Sequence, residues 1–244
     1  MLPYFETIRA LLDRAEAQNA ATIRVCGEVI AASLAKGGVL HTFGTGHSHL
    51  LAEELFHRAG GLAAINPLLD PRLMLHEGTM AATLTERLPG YAEAVLSRYS
   101  LQAGEVMIVA SNSGRNAVPV EMALGAQARG LRVIALTSVA HSASQSPRHA
   151  SGKRLFEIAD YVLDNCGETG DAALSLDGVD GRLCATSTVI GAALLQALAY
   201  AVAENLLTLG VEPAVLNSSN TGSGEADVRN QQYIDRYKGR ITHT

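Results

Sequence analysis

The sequence predicts an α/β fold, with a parallel β-sheet covered by helices on both faces. Short apolar runs, such as Val-Met-Ile-Val-Ala at residues 106–110, alternate with longer segments whose apolar residues recur at helical spacing. This alternation is typical of βαβ units, in which consecutive strands are parallel. The runs show no alternation of apolar and polar residues, which indicates strands that are buried on both faces.

The order of the elements follows from hydrophobic spacing and from the glycines that end each segment. Lys36-Gly37-Gly38 closes the N-terminal helical region, and Arg129-Gly130 is a usual helix C-terminus. Strands are predicted at residues 39–43, 62–69, 106–110, 132–136 and 161–164. Helices are predicted at residues 3–35 (as one helix or two), 49–59, 91–99, 117–129, 153–159 and 186–209, with an amphipathic segment at 231–241. The segments 137–152 and 165–182 are predicted to be loops.

Composition and charge exclude several classes of protein. The 244 residues include 19 basic and 24 acidic side chains, a net charge of −5, and no long basic run, so we expect no nucleic-acid or membrane surface. The three cysteines are widely separated and lack metal-ligand spacing, which favours a reducing compartment. The N-terminal residues lack the basic and apolar regions of a signal peptide, so we expect a cytoplasmic protein.

Polar residues follow the predicted strand at 106–110. Ser111, Asn112, Ser113, Gly114, Arg115 and Asn116 form a short turn before the helix that starts at residue 117. The free N–H groups of a helix N-terminus carry partial positive charge, so such a turn is suited to bind an anion. Serine and asparagine also cap helices without binding a ligand, and that alternative stays open for a single turn.

A second turn of the same kind follows the predicted strand at 39–43. It contains Gly44, Thr45, Gly46, His47 and Ser48. A dinucleotide fingerprint needs a third glycine where this chain has His49, and no segment fits a P-loop. Because ligands of parallel sheets bind at the carboxyl ends of strands, we expect both turns to hold one phosphate group, with no nucleotide and no other cofactor.

The helix predicted after the first turn carries two stripes of charged residues. His49, Glu53 and His57 are spaced four residues apart, and Glu54 and Arg58 form a neighbouring pair. These stripes could be a solvated helix face. Alternatively, one glutamate could act as a base near the phosphate. A metal site on this one helix is weakly indicated, and we predict none.

These motifs resemble those of the sugar isomerase (SIS) domain family. The similarity extends from about residue 20 to about residue 210. It is carried by Phe43–Ser48, Ser111–Asn116 and Ala185–Thr188. It implies a three-layer αβα sandwich with a five-stranded parallel sheet, and assembly as a homodimer or homotetramer with sites near the interface. We expect one domain over residues 1–244, with N-terminal helices at 3–35, a core at 39–210 and a C-terminal tail at 211–244.

The resemblance also implies which residues bind a sugar phosphate. Ser48, Ser111, Ser113 and Asn116 would hold the phosphate, together with the other members of the two turns: Gly44, Thr45, Gly46, Asn112 and Arg115. The small members that the chain resembles are phosphoheptose isomerases and N-acetylmuramic acid 6-phosphate etherases. At the positions where those isomerases carry a His-x-x-x-Glu pair, ungapped alignment from Ser48 places Glu54 and Arg58, and the segment 186–209 contains no histidine.

We therefore expect an enzyme that removes the C2 proton of an open-chain hexose or N-acetylhexosamine 6-phosphate, such as N-acetylglucosamine 6-phosphate. Glu54 is the first candidate for the base and Glu53 the second, while His47, His141 or His149 would be the second acid or base. The missing isomerase histidine favours elimination, by a dehydratase or lyase, over aldose–ketose isomerisation. A phosphosugar sensor without catalytic activity is the alternative from another class.

Overall fold

A five-stranded parallel sheet lies at the centre of the fold. In the computed structural model, which describes residues 2–218, 220 and 224–243, the strands are β1 (Leu40–Gly44), β2 (Ile65–Pro67), β3 (Val106–Ala110), β4 (Arg132–Thr137) and β5 (Tyr161–Asp164). Their order is β2-β1-β3-β4-β5, and all four pairings are parallel. The predicted α/β fold with a parallel sheet is confirmed.

Helices cover both faces of this sheet. They are α1 (Pro3–Leu34), α2 (His49–Glu54), α3 (Thr79–Glu86), α4 (Tyr91–Leu96), α5 (Ala117–Ala128), α6 (Val139–Ala143), α7 (Ser187–Thr208) and α8 (Gly224–Arg236). In β3, Ile108 belongs to the core shared with α1, α2 and α7, whereas Met107 and Val109 belong to the core shared with α4 and α5. Successive residues of a strand point to opposite faces, so a strand with helices on both sides must be apolar throughout.

Several predicted boundaries were wrong. The helix predicted at 49–59 ends at Glu54, and His57 has a φ of 46°, a left-handed conformation that a helix does not accommodate. The strand predicted at 62–69 contains only the three residues of β2. The segment predicted as a helix at 153–159 contains a single 3₁₀ turn, Leu155–Glu157.

Two segments predicted as loops contain regular structure. Helix α6 lies within residues 137–152, and its first turn is capped by Ser138 Oγ, which accepts from the backbone N–H of His141 at 3.2 Å. Residues 165–182 contain β6 (Ala172–Ser175), which pairs antiparallel with β7 (Arg182–Ala185) to form a hairpin. Its turn contains Asp177-Gly178, a dipeptide that is typical of hairpins.

The C-terminal part of the chain packs onto the α1–α7 side of the sheet. Helix α8 begins at Gly224, earlier than the amphipathic segment predicted at 231–241. Tyr233, Tyr237 and Ile241 are buried in the same core as α1 and α7. Residues 233–241 are therefore packed on the same face of the sheet as α1 and α7.

Helix α7 is long and apolar because it is a core helix. Among the described residues it is the one helix that could cross a membrane by length and composition, and 44% of its most apolar window is buried inside the structure. Ile190, Leu194, Leu198 and Val202 pack into the core that α7 shares with α1. A buried core helix meets the same criteria of length and composition as a membrane-spanning helix.

Candidate functional site

The two polar turns lie side by side at one edge of the sheet. Strand order reverses between β1 and β3, which is the point where parallel α/β sheets bind ligands. Gly44 and Ala110, the last residues of these strands, are register partners. The chain then leaves β1 toward α2 on one face of the sheet and leaves β3 toward α5 on the other. Both turns therefore lie at the carboxyl ends of adjacent parallel strands, as predicted.

The first turn folds tightly back against the end of β1. Thr45 leads into a 3₁₀ turn over Gly46–Ser48, in which the backbone N–H of Ser48 donates to Thr45 O at 3.0 Å. A Cβ on Gly44 would lie 2.1 Å from the carbonyl oxygen of Ser48, so only glycine fits there. Gly46 has a φ of 55°, which also favours glycine. This geometry leaves the Ser48 hydroxyl half-exposed at the edge of the sheet.

The second turn is held by its own polar groups and by β4. The backbone N–H of Ser111 donates to Leu136 O at 3.0 Å, and Ser111 Oγ accepts from the N–H of Gly114 at 3.2 Å. Asn112 Oδ1 accepts from Asn165 Nδ2 at 2.9 Å, so this side chain supports the turn. Within the described part of the chain, the Ser113 hydroxyl and N–H have no hydrogen-bond partner. These free donors are suited to bind a phosphate oxygen.

The two glutamates of α2 have different surroundings. Glu54 Oε2 accepts from Arg58 at 2.9 Å, and Glu54 Oε1 accepts from Gln196 Nε2 at 2.9 Å, so both oxygens are engaged. Glu53 is the preceding residue of α2, and its side chain is 44% exposed, against 21% for Glu54. Among the described residues, its one basic partner within 4 Å is His49, whose Nε2 lies 3.6 Å from Glu53 Oε1. Glu53 is thus the carboxylate of this pair that has no hydrogen-bond partner among the described residues.

His49 is a site residue that the sequence analysis did not rank. Its side chain is 2% exposed, and neither ring nitrogen has a hydrogen-bond partner among the described residues. Burial lowers the pKa of His49, and the nearby charge of Glu53 opposes this shift. A neutral imidazole therefore lies behind the Glu53 carboxylate. The His49 and Glu53 spacing of four residues was the available sequence signal.

The histidine stripe that was considered for a metal site does not form. His57 follows the end of α2 in a left-handed conformation, so it does not continue the face that His49 and Glu53 share. Among the described residues, no group of three or more His, Cys, Asp or Glu side chains could hold a metal ion.

The other candidate histidines differ in exposure and in the groups they contact. His47 is exposed on the first turn itself. His141, on α6, accepts from the N–H of Gly170 through Nδ1 at 3.2 Å, and its pKa is lowered by burial and by the charge of Arg115, against the charge of Asp171. His149 Nε2 lies 3.5 Å from Glu121 Oε1, so this imidazole faces α5.

The third motif, Ala185–Thr188, includes the N-terminus of α7, and its N–H groups bind a carboxylate of the chain itself. Asp171 accepts from the N–H groups of Thr186 and Ser187 at 3.1 and 2.8 Å, and from the Ser187 hydroxyl at 2.6 Å. A carboxylate at a helix N-terminus is a stabilising cap. Asp171 therefore fixes the β6–β7 hairpin to the start of α7, a contact that the sequence analysis did not predict.

Comparisons with known proteins agree with this geometry. The SIS domain family matches residues 3–138. The UPF0309 protein lin2794 of Listeria innocua is 42% identical over 238 residues, which cover 98% of this chain and 96% of that protein. The UPF0309 protein TTE0306 of Caldanaerobacter subterraneus is 40% identical over 243 residues, with 98% of each chain covered.

Solved structures share the fold at low sequence identity. A phosphoheptose isomerase from Francisella tularensis superposes with a TM-score of 0.53 at 16% identity, over 82% of this chain and 95% of that one. A phosphoheptose isomerase from Neisseria gonorrhoeae superposes with a TM-score of 0.51 at 19% identity, over 82% and 94% of the two chains. The family match and the close relatives together show that this chain belongs to the SIS domain family.

Proposed function

We propose that this protein is an enzyme that acts on an open-chain (N-acetylamino)hexose 6-phosphate by removing the proton at C2. The phosphate would bind between the two turns, where the hydroxyls of Ser48 and Ser113 are available. Donors at a strand–turn–helix junction bind phosphate without a charged side chain. Membership of the SIS domain family supports a phosphosugar ligand.

The observation that carries the proposed reaction is the free carboxylate of Glu53 with the buried His49 behind it. Glu54, which the sequence ranked first, has both oxygens bound to Arg58 and Gln196. One of these oxygens would have to release its donor before Glu54 could take a proton from substrate. Glu53 is therefore the proposed base. His49 is a positioning residue whose ring nitrogen lies 3.6 Å from Glu53 Oε1, a separation that can shorten when substrate binds.

Both candidate reactions begin with transfer of the C2 proton to Glu53. The C–H electrons form a C1–C2 double bond, and the negative charge moves to the oxygen at C1. Return of a proton to C1 of a 2-hydroxy sugar, with transfer of the O2 proton to O1, gives the ketose. In the elimination, the C1 carbonyl forms again, the C1–C2 π electrons form a C2–C3 double bond, and the C3–O bond breaks as its oxygen takes a proton. His47 and His141 are the candidates to supply that proton.

Proton exchange in D₂O tests this proposal. The protein is incubated with a panel of hexose and amino-sugar 6-phosphates, and solvent deuterium at C2 is followed by NMR. We expect exchange with the wild type, a loss of about 100-fold or more in Glu53→Gln, and a smaller loss in Glu54→Gln. Full exchange in Glu53→Gln would refute the assignment of the base.

The products distinguish elimination from isomerisation. We favour elimination on an N-acetylamino sugar, because α7 contains no histidine that could match the second catalytic group of a phosphoheptose isomerase. Accumulation of a ketose 6-phosphate would instead establish the isomerase alternative. Saturable binding of a sugar phosphate without exchange at C2 would refute the enzyme and support a sensor.

Assembly and location are also proposals. We propose a homodimer or homotetramer in the cytoplasm. A groove between α1 and α7 is lined by Leu12, Ile23 and Tyr200, and the Tyr200 side chain is 68% exposed. Leu12 and Ile23 are half-buried, so Tyr200 is the exposed member of this apolar groove, which is a surface of the kind that packs against another chain. Light scattering at several protein concentrations measures the oligomeric state directly.

A further inference from the structure

Two arginines beside the second turn have no carboxylate partner among the described residues. Arg115, in the turn itself, donates from NH1 to Gln145 Oε1 at 2.9 Å, while its buried Nε has no hydrogen-bond partner there. The backbone N–H of Arg148 donates to Arg115 O at 3.1 Å, which ties the two residues together. The nearby Arg154, by contrast, is paired with Glu157 at 3.1 Å.

Arg148 is held where a cation is electrostatically unfavourable. Asn116 is the N-cap residue of α5, but its side chain does not cap the helix. Instead, Asn116 Oδ1 accepts from Arg148 NH1 at 2.8 Å, which places a guanidinium beside the helix N-terminus. That terminus carries about half a positive charge, and the first turn of α5 has no acidic residue. Positive charge is therefore concentrated at the start of α5.

The electrostatics of the neighbouring groups agree with this description. The pKa of Arg148 is lowered by partial desolvation and by the charges of Arg115 and Arg87, and the charge of Glu86 opposes the shift. The charge of Arg115 also contributes to the lowered pKa of His141. An anion bound near Arg115 and Arg148 would remove this repulsion.

We propose that Arg115 and Arg148 form a second anion subsite beside the phosphate-binding turn, and that the substrate is a sugar phosphate with a second anionic group, a carboxylate or a second phosphate. This inference rests on the proposed function, because it assumes that the turns bind the first phosphate. Hydroxyl and N–H donors suffice for that phosphate. Guanidinium groups bind carboxylates and phosphates through paired, charge-assisted hydrogen bonds, and are thus additional recognition elements.

Matched ligands test the subsite. Glucose 6-phosphate, gluconate 6-phosphate and glucose 1,6-bisphosphate are titrated by calorimetry at low ionic strength. We expect the wild type to bind at least one doubly substituted ligand tenfold or more tightly than glucose 6-phosphate, with a preference that falls as salt is added. Preference for gluconate 6-phosphate identifies a carboxylate, and preference for glucose 1,6-bisphosphate identifies a second phosphate.

Substitution of the arginines then locates the effect. The measured quantity is the ratio of the dissociation constant of glucose 6-phosphate to that of the preferred doubly substituted ligand. In Arg148→Gln and Arg115→Gln this ratio should move toward one, whereas Arg154→Gln should keep the wild-type ratio. Arg148 is exposed, so its substitution leaves the core intact. An unchanged ratio in both variants, or no preference in the wild type, overturns the subsite while glucose 6-phosphate binding still supports the proposed function. Failure of all three ligands to bind refutes both.

Discussion

The buried carboxylate of Glu105 offers a quantitative test of how the amino ends of the strands are held. Its side chain is 3% exposed. It accepts from the backbone N–H groups of Val39 and Gln102 at 2.9 and 2.8 Å, from His41 Nε2 at 2.9 Å, and from Arg240 NH2 at 2.5 Å. The substitution Glu105→Gln removes the charge and turns an amide group toward donors that need an acceptor.

The pKa of Glu105 gives the size of the expected effect. Burial alone would raise this pKa, but the hydrogen bonds from His41, Val39 and Gln102 outweigh it and lower the value from 4.5 to about 2. Since one pKa unit corresponds to about 1.4 kcal/mol, ionised Glu105 stabilises the fold by about 3 kcal/mol. Because the folded pKa is depressed, this contribution is complete above about pH 4.5 and is lost as the pH falls toward 2.

Denaturant unfolding at several pH values measures this contribution. We expect Glu105→Gln to lower the free energy of unfolding by about 3 kcal/mol at pH 7, and the difference from the wild type to shrink below pH 4.5. Glu93→Gln is the matched control: its exposed carboxylate pairs with Arg129 at the surface and should leave the midpoint unchanged. Equal midpoints for Glu105→Gln and the wild type at pH 7, or a difference that does not vary with pH, would refute the reasoning.

Two further predictions concern the turns. Ser113→Ala should weaken sugar phosphate binding about tenfold, the cost of one hydrogen bond to a charged group, without moving the unfolding midpoint; unchanged affinity in calorimetry would place the phosphate elsewhere. Gly44→Ala should destabilise the protein by about 3 kcal/mol and abolish binding, because its Cβ would lie 2.1 Å from Ser48 O. Gly224→Ala is the control, because a Cβ there meets no described atom within 4 Å. Equal melting temperatures for Gly44→Ala and the wild type would contradict the predicted clash.

The parts of the fold that could be predicted are those with a strong local pattern. The apolar runs at β1, β3, β4 and β5 were located within one residue of their observed ends. The hairpin at 172–185 was missed because the four glycines of the segment 165–182 are also typical of a loop. Helix α2 was predicted too long, since no glycine or proline marks the left-handed conformation of His57.

Within the candidate site, the turns could be predicted and the roles of single side chains could not. Helical spacing predicts that Glu54 and Arg58 pair, and they do, at 2.9 Å. It cannot show that Gln196, 142 residues away, binds the other oxygen of Glu54 and leaves Glu53 as the free carboxylate. The assignments of the base, the acid and the phosphate ligands stay predictions until exchange and binding are measured.

The sequence by itself determined the α/β class, the strands and the two polar turns at strand carboxyl ends. These features depend on the spacing of apolar residues and on backbone groups within a few positions of each other. Only the tertiary structure decided that Asp171 caps α7, that Glu105 binds Arg240, and that Arg148 lies at the start of α5. Each of these contacts joins residues that chain topology brings together, so no local pattern records them.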